Sequence, residues 1–369
     1  MPIYQRKRLT PSLRCKRPLG SLPAYSVRIT KRVFRSLLDL KVGRQLLTFP
    51  FSDASAQRDH ISTLGGSGKL SVSVATAVAT RRSMVACHVC SSTDDSTYIE
   101  ARGYRIARCT NCGLWFVNPQ PTMEELRQFY AAYDDGQQWR NLEEHFNRGV
   151  RDSILRMKRS GAVLDVGCGS GNFLRCMKQA GFSAFGIEPS GSGSQYGRES
   201  HGIDIFHGMI EDYAKQNFDR QFDVITLLNV LEHLTQPAQT VLQLRQALAP
   251  GGVLAVVVPD ARFHDLIGRL RCLLHIADPF YIERPTSFLS GFKLPDHLSS
   301  FQPNTISSLL RHCGFRVVAI ENAPVVFNPS LHRNFAKLLV FWTSQALQYV
   351  TFGRILVGYS TLVLAQRTT

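Results

Sequence analysis

No stretch of the 369 residues runs 18 apolar positions without a break; the richest, 335–350, is interrupted by Lys337, Thr343, Ser344, Gln345 and Gln348. That argues against a spanning helix and leaves only peripheral membrane contact as an expectation. Charge is also sparse, at 19% of residues against 44% hydrophobic. Such a chain has enough apolar material for a large core and too little charge to be mostly disordered. Its length suits one large domain or two.

Acids are nearly missing from residues 1–82, where 16 Lys and Arg face only Asp39, Asp53 and Asp59. The remainder is almost balanced, with 27 basic and 25 acidic groups, so the net charge of +15 belongs to a tail and not to the body. A near-neutral body gives no electrostatic reason to expect a nucleic-acid partner. The tail, residues 1–83, shows no sustained helical or strand period over its first 60 residues and is expected to be poorly ordered. Its composition suits a transit peptide, or an electrostatic arm for RNA or anionic lipid. A third reading is a misplaced start, because Met84 stands three residues before the first cysteine of a metal motif.

Of nine cysteines, Cys15, Cys168, Cys176, Cys272 and Cys313 are scattered singly, as expected of reduced thiols in a cytoplasmic protein. The other four form two C-x-x-C pairs, Cys87-Cys90 and Cys109-Cys112, 18 residues apart. This is the spacing of a four-thiolate Zn²⁺ site, which has no open position for water and is therefore structural. A redox pair is the alternative, but it leaves one pair surplus. Residues 97–106 read as a hairpin and 113–117 as a strand, giving a zinc ribbon over 84–121 that is too small to fold without metal.

A helical connector is expected over 122–160, with helices at 123–133 and 141–160. It leads into Ala162-Val-Leu-Asp-Val-Gly-Cys-Gly-Ser-Gly-Asn-Phe-Leu174, an apolar strand, a glycine-rich turn and a helix. Such a turn lets a ligand approach the backbone, and the helix start offers free N–H groups. The spacing is G-x-G-x-G, not the G-x-G-x-x-G of a dinucleotide site, which disfavours NAD. Further strands are expected at 184–188, 204–206, 222–228 and 252–258, with a helix at 237–248 before Pro250-Gly-Gly252. Strand and helix in alternation, with continuously apolar strands, predict a parallel sheet covered on both faces. Glu188, at the end of the second strand, stands where a carboxylate takes ribose hydroxyls.

These residues resemble a class I S-adenosylmethionine-dependent methyltransferase of the bacterial type with an N-terminal zinc ribbon, found in polysaccharide and secondary-metabolite synthesis. The resemblance covers Cys87 to about Arg367. It rests on Arg108–Pro121, Val163–Gly171, Gly186–Ser190, Asn229–Leu234 and Pro250–Gly252. It implies an α/β, Rossmann-like fold over 161–369, with a seven-stranded, mostly parallel sheet preceded by the ribbon; 316–320 and 359–365 supply the last two strands. The family's cofactor contacts map onto Asp165, Gly167, Cys168, Gly169, Gly171, Glu188 and Pro189, then Met209, Ile210 and Glu211 at the adenine, with Asn229 and Val230 beside them.

Displacement at a sulfonium methyl is accelerated chiefly by holding the acceptor in line, and a base is needed only for a hydroxyl or carbon acid. His233, after the fourth strand, and His297, in an H-L-x-x-F element, are the candidates; a helix-start hydrogen bond for the first and a loop anchor for the second are the structural alternatives. Two segments, 261–292 and 328–358, are inserted. The apolar helix in the second is expected to pack in the core, or else to form a lid or a membrane-facing surface. The expected acceptor is a small or lipid-linked sugar-type molecule. An RNA base methyltransferase and a non-catalytic binding module are the rivals.

Overall fold

A computed structural model describes residues 82–101, 104–131, 144–215, 220–266, 296–326, 331–351, 356 and 358–368. The chain divides into two units, 1–75 and 76–369, and the described residues belong to the second. Most of the expected tail, and residues 267–292 of the first insertion, lie outside the described residues.

The ribbon opens with β1 (Asp95–Ala101) and β2 (Tyr104–Cys109), paired antiparallel, followed by β3 (Trp115–Val117) on the other side of β2. The expected tail boundary at 83 falls inside this module. The Ser83 carbonyl accepts the Gln120 N–H at 3.0 Å, and Arg82 pairs with Glu125 at 3.2 Å. The connector forms α1 (Met123–Ala131) and α2 (Glu144–Leu155), the second ending earlier than its periodicity predicts.

The main domain alternates β4 (Gly161–Val166), α3 (Asn172–Gln179), β5 (Phe182–Glu188), α4 (Gly191–His201), β6 (Asp204–His207), α5 (Ile210–Ala214), β7 (Phe222–Leu228), α6 (Pro237–Ala247) and β8 (Leu248–Pro259). Then come β9 (Ser299–Ser300), α7 (Pro303–His312), β10 (Phe315–Asn322), α8 (Leu331–Val350) and β11 (Ser360–Arg367). Seven strands make one sheet in the order β10-β11-β8-β7-β4-β5-β6, in which β11 alone runs antiparallel to its neighbours. This is the sheet that the resemblance implies.

Alternation along the strands sorts the core into two layers. Leu254, Val256 and Val258 face one side with Val241, Leu244, Ile306, Leu309 and Leu310, while Val253, Ala255 and Val257 face the other with Val150, Phe173, Leu174 and Met177. The first layer continues into the ribbon through Cys87, Val89, Leu114 and Phe116. Helix α7 starts at Pro303 with a Gln302/Thr305 capping box and buries Ile306, Leu309 and Leu310, the i, i+3, i+4 stripe of an amphipathic helix.

One expectation for the large sheet is corrected. Strand β8 starts at Leu248, not Gly252: Leu248 pairs with Phe222, and the ladder resumes at Val224↔Val253 after an irregularity that takes in Pro250-Gly-Gly252. The ribbon gains a fourth strand: β9, from beyond the first insertion, joins its edge through Trp115↔Ser300 and Phe116↔Ser299. Helix α8 exposes Leu339, Trp342, Leu347, Tyr349 and Val350, so packing does not absorb its whole apolar surface. No helix among the described residues is long and apolar enough to cross a membrane.

Candidate active site

The carboxyl ends of β4, β5 and β7 surround a cavity of about 780 Å³, the place where open parallel sheets bind ligands. At its floor the chain leaves β4 through Gly167, whose φ of +72° is left-handed. The N–H groups of Gly167 and Cys168 both reach the Ile187 carbonyl, at 2.7 and 3.1 Å. Glu188 is buried, and its two oxygens accept the N–H groups of Gly169 and Ser190, each at 2.7 Å. These two backbone donors fix the carboxylate at the end of β5, facing the glycine turn. Asp165, also buried, accepts the Thr226 hydroxyl at 2.6 Å. Burial, followed by the Asp165 and Glu188 charges, drives the Cys168 thiol well above its usual range, so it serves as a neutral wall and not as a nucleophile.

Eleven of the twelve expected cofactor residues line this cavity: Asp165, Gly167, Cys168, Gly169, Glu188, Pro189, Met209, Ile210, Glu211, Asn229 and Val230. Gly171 does not. It caps α3 at φ +75°, where a side chain would meet Ile203 and Gly197. The left-handed backbone is what favours glycine here, since the nearest contact, Ile203 Cδ1 at 3.3 Å, is the end of a side chain. Asn229 takes φ +56°, a conformation that Asn tolerates better than most residues, and turns the chain from β7 into the 3₁₀ turn Leu231–His233.

His233 and His297 come together at the other end, their rings 4.6 Å apart and nearly perpendicular. The His233 Nδ1 lies 3.0 Å from the Asp296 carbonyl, which can only accept, so Nδ1 donates there; the Asp296 carboxylate stands 3.5 Å from the same nitrogen. Glu232 is buried beside them, with Oε1 4.0 Å from His233 Nε2. Donor atoms of Glu232, His233 and His297 lie within 4.8 Å of one another. Sequence reasoning missed Glu232, Asp296, Tyr130 and His264, all lining the cavity. Glu232 and Asp296 each adjoin a predicted histidine, a signal that could have found them.

The four ribbon thiols form the second centre. Cys87 and Cys112 sulfurs are 3.4 Å apart and Cys90 and Cys109 sulfurs 3.6 Å, with all four within 4.8 Å. A tetrahedral Zn–S₄ site has sulfur separations of about 3.8 Å, so the set fits structural zinc with little movement. Burial raises Cys87 and brings Cys112 to about 11. At Cys90 burial is outweighed by hydrogen bonds from the Ser92 N–H and neighbouring thiols, which bring it to about 7.

The lining of the cavity carries five carboxylates, Asp165, Glu188, Glu211, Glu232 and Asp296, and among the described residues no Lys or Arg. One Glu211 oxygen is buried without a hydrogen-bond partner. An acidic wall with a spare acceptor, a carboxylate at the ribose position and an open glycine turn fit a nucleoside that bears a positive charge, as S-adenosylmethionine does.

Comparison with known proteins agrees with this geometry. Residues 139–320 match the family model described as a methyltransferase domain. The chain carries a methyltransferase domain. The domain is 35% identical over 107 residues to a ubiquinone biosynthesis O-methyltransferase of Aromatoleum aromaticum, covering 28% of this chain and 44% of that one. It is 31% identical over 150 residues to the Escherichia coli protein of the same name, covering 37% and 61%. The chain thus spans less than two thirds of the length of these curated relatives. A SAM-dependent methyltransferase structure from Archaeoglobus fulgidus superposes with a TM-score of 0.42 at 20% identity, over 63% of this chain and 97% of that one.

Two glycines of the methyltransferase domain separate ligand space from packing. A Cβ on Gly169 would meet nothing within 4 Å, whereas one on Gly167 would stand 2.5 Å from Val230 Cγ2. Gly169→Ala is therefore expected to cost about 1 kcal/mol of stability, from its left-handed backbone, while weakening S-adenosylhomocysteine binding at least tenfold. Gly167→Ala should lose several degrees of Tm as well. Calorimetry and thermal melting of both variants check this, and unchanged affinity in Gly169→Ala would remove that glycine from the binding site.

Proposed function

We propose that this chain transfers a methyl group from S-adenosylmethionine to a small-molecule acceptor by in-line displacement. The observation that carries the reading is that the Glu188 and Gly169 cradle and the His233/His297 pair open onto one cavity. When bound, the cofactor supplies an electrophilic methyl carbon; the residues of the chain do the rest. Glu188 holds the ribose diol, Gly169 leaves room for the ligand, and the carboxylate wall favours positive charge over phosphate. At the far end His233 is the base that receives a proton from the acceptor hydroxyl or carbon acid, with His297 and Tyr130 framing the acceptor's place. The Tyr130 ring is 6.5 Å from His233. Positioning of this kind accounts for much of the rate in displacements at a preactivated carbon.

The acceptor class follows from the lining. With no Lys or Arg among the described lining residues, the cavity gives an RNA backbone no countercharge, which disfavours the RNA alternative. A sugar-type hydroxyl or carbon acid, free or lipid-linked, fits Tyr130, Asp296 and the two histidines, and the likeness to ubiquinone biosynthesis O-methyltransferases favours oxygen as the atom methylated. The exposed apolar residues of α8 suit the lipid-linked form.

The test is calorimetric titration of S-adenosylmethionine and S-adenosylhomocysteine into the full chain and into a form starting at Met84. Acceptor screening follows, with methyl transfer read as S-adenosylhomocysteine release, and so does liposome cosedimentation. Micromolar binding by both forms is expected. No binding by a zinc-loaded, folded chain would leave the non-catalytic module as the better account, and indifference to liposomes would remove the lipid-linked branch.

A further inference from the structure

We infer that His88 and Gln120 of the zinc ribbon are positioning residues for His233 and His297, so that the ribbon sets the geometry of a reaction it does not touch. The inference rests on the proposed role of the two histidines. His88 sits between the zinc ligands Cys87 and Cys90, yet both of its ring nitrogens are engaged elsewhere. Its Nδ1 is 2.7 Å from the Ser299 hydroxyl, and its Nε2 is 2.6 Å from the Gln120 side-chain nitrogen. That same Gln120 nitrogen lies 3.3 Å from the Thr235 carbonyl.

The donors follow from the chemistry. A carbonyl only accepts, so the Gln120 atom facing Thr235 is the NH₂ group, and its second hydrogen points to His88 Nε2. His88 Nε2 therefore accepts, the ring proton stays on Nδ1, and Nδ1 donates to Ser299.

Each arm ends two residues from a candidate base: Ser299 from His297, and Thr235 from His233. The backbone closes the frame. The Leu298 N–H donates to the Glu232 carbonyl at 2.8 Å, and the Val117 N–H to the Leu298 carbonyl at 2.9 Å. The ribbon strand β3, the two-residue β9 and the turn Leu231–His233 are thus tied to one imidazole. A displacement of about 1 Å at reacting groups costs on the order of a hundredfold in rate, which gives such a brace a catalytic consequence. The alternative is that His88 merely fills space, its ring standing 5.4 Å from Phe116.

The two accounts part in a substitution series on the full chain, with histidine rings labelled with ¹³C and their signals assigned from His233→Asn and His297→Asn. His88→Phe keeps the packing and removes both arms; Asn mimics the Nδ1 arm and Gln the Nε2 arm. In His88→Phe we expect one zinc per chain and S-adenosylhomocysteine affinity within threefold of wild type, with the signals of both histidines shifted and broadened. His88→Asn should restore the His297 signal, and His88→Gln the His233 signal. With an acceptor in hand, kcat should fall at least tenfold in His88→Phe while KM for the cofactor holds. Unchanged ring signals in a zinc-loaded, cofactor-binding His88→Phe chain would overturn the inference. Should that variant lose zinc, Ser299→Ala and Gln120→Leu remove the arms from outside the knuckle, and the same signals decide. Failure of the methyltransferase reading is seen separately, as absence of cofactor binding by the wild-type chain.

Discussion

Glu188→Ala is expected to weaken S-adenosylhomocysteine binding by at least a hundredfold, about 2.7 kcal/mol. Glu188 is only 7% exposed, and its carboxylate organises the turn before it is asked to bind anything, accepting the Gly169 and Ser190 N–H groups at 2.7 Å each. Hydrogen bonds to a charged partner contribute roughly 1.5–3 kcal/mol apiece. Truncation would leave both donors without this acceptor and remove the group that faces a ribose. Glu188→Gln should lose less, since one oxygen survives, but its NH₂ would confront an N–H group. Calorimetry on the zinc-loaded variants reads the effect. Binding within threefold of wild type in Glu188→Ala would show that the cradle no longer serves a nucleoside.

Cys109→Ser, or removal of zinc by a chelator, is expected to unfold the ribbon and release β9 while leaving the large sheet folded. Metal binding supplies about 10–16 kcal/mol in small zinc modules, comparable with the 5–15 kcal/mol stability of a whole domain. The four thiols join the ribbon's two knuckles, and its edge strand β3 is what holds Ser299 and Ser300 in place. Hydrogen exchange should accelerate at least a hundredfold over 83–120 and over 297–301, with protection in β4, β7 and β8 retained. Cofactor affinity should change less than tenfold, because the cradle stands on β4 and β5, while methyl transfer should fall at least a hundredfold. If 297–301 remained protected in a zinc-free chain, the ribbon would not be holding the acceptor end.

How much was legible depends on the range of the interaction. The two C-x-x-C pairs and the G-x-G-x-G turn were readable because their chemistry is local: thiols two residues apart on a tight turn, and glycines where backbone must meet ligand. The placing of Glu188 and His233 at one edge of the sheet was readable because alternating strands and helices bring strand ends there. The place of Gly171 off the cavity lining, beside Ile203 and Gly197, was not, because spacing does not say which glycine of the turn faces the cavity. Strand β9 was invisible, since two residues carry no periodicity and their partners lie some 180 positions earlier in the chain.

The amino-acid sequence by itself determined the four-thiol ribbon and the alternation of strands and helices around a glycine-rich turn, because hydrophobic period, glycine placement and thiol spacing each act within a few residues; the seven-stranded sheet was implied by the resemblance to class I methyltransferases. Only the tertiary structure decided that the ribbon adjoins the segments that carry His233 and His297. His88, Gln120, Thr235 and Ser299 meet through hydrogen bonds between segments separated by as many as 211 residues. No local preference encodes such a contact. It exists because the sheet brings the ends of β7 and β8 together and the ribbon fills the space beside them.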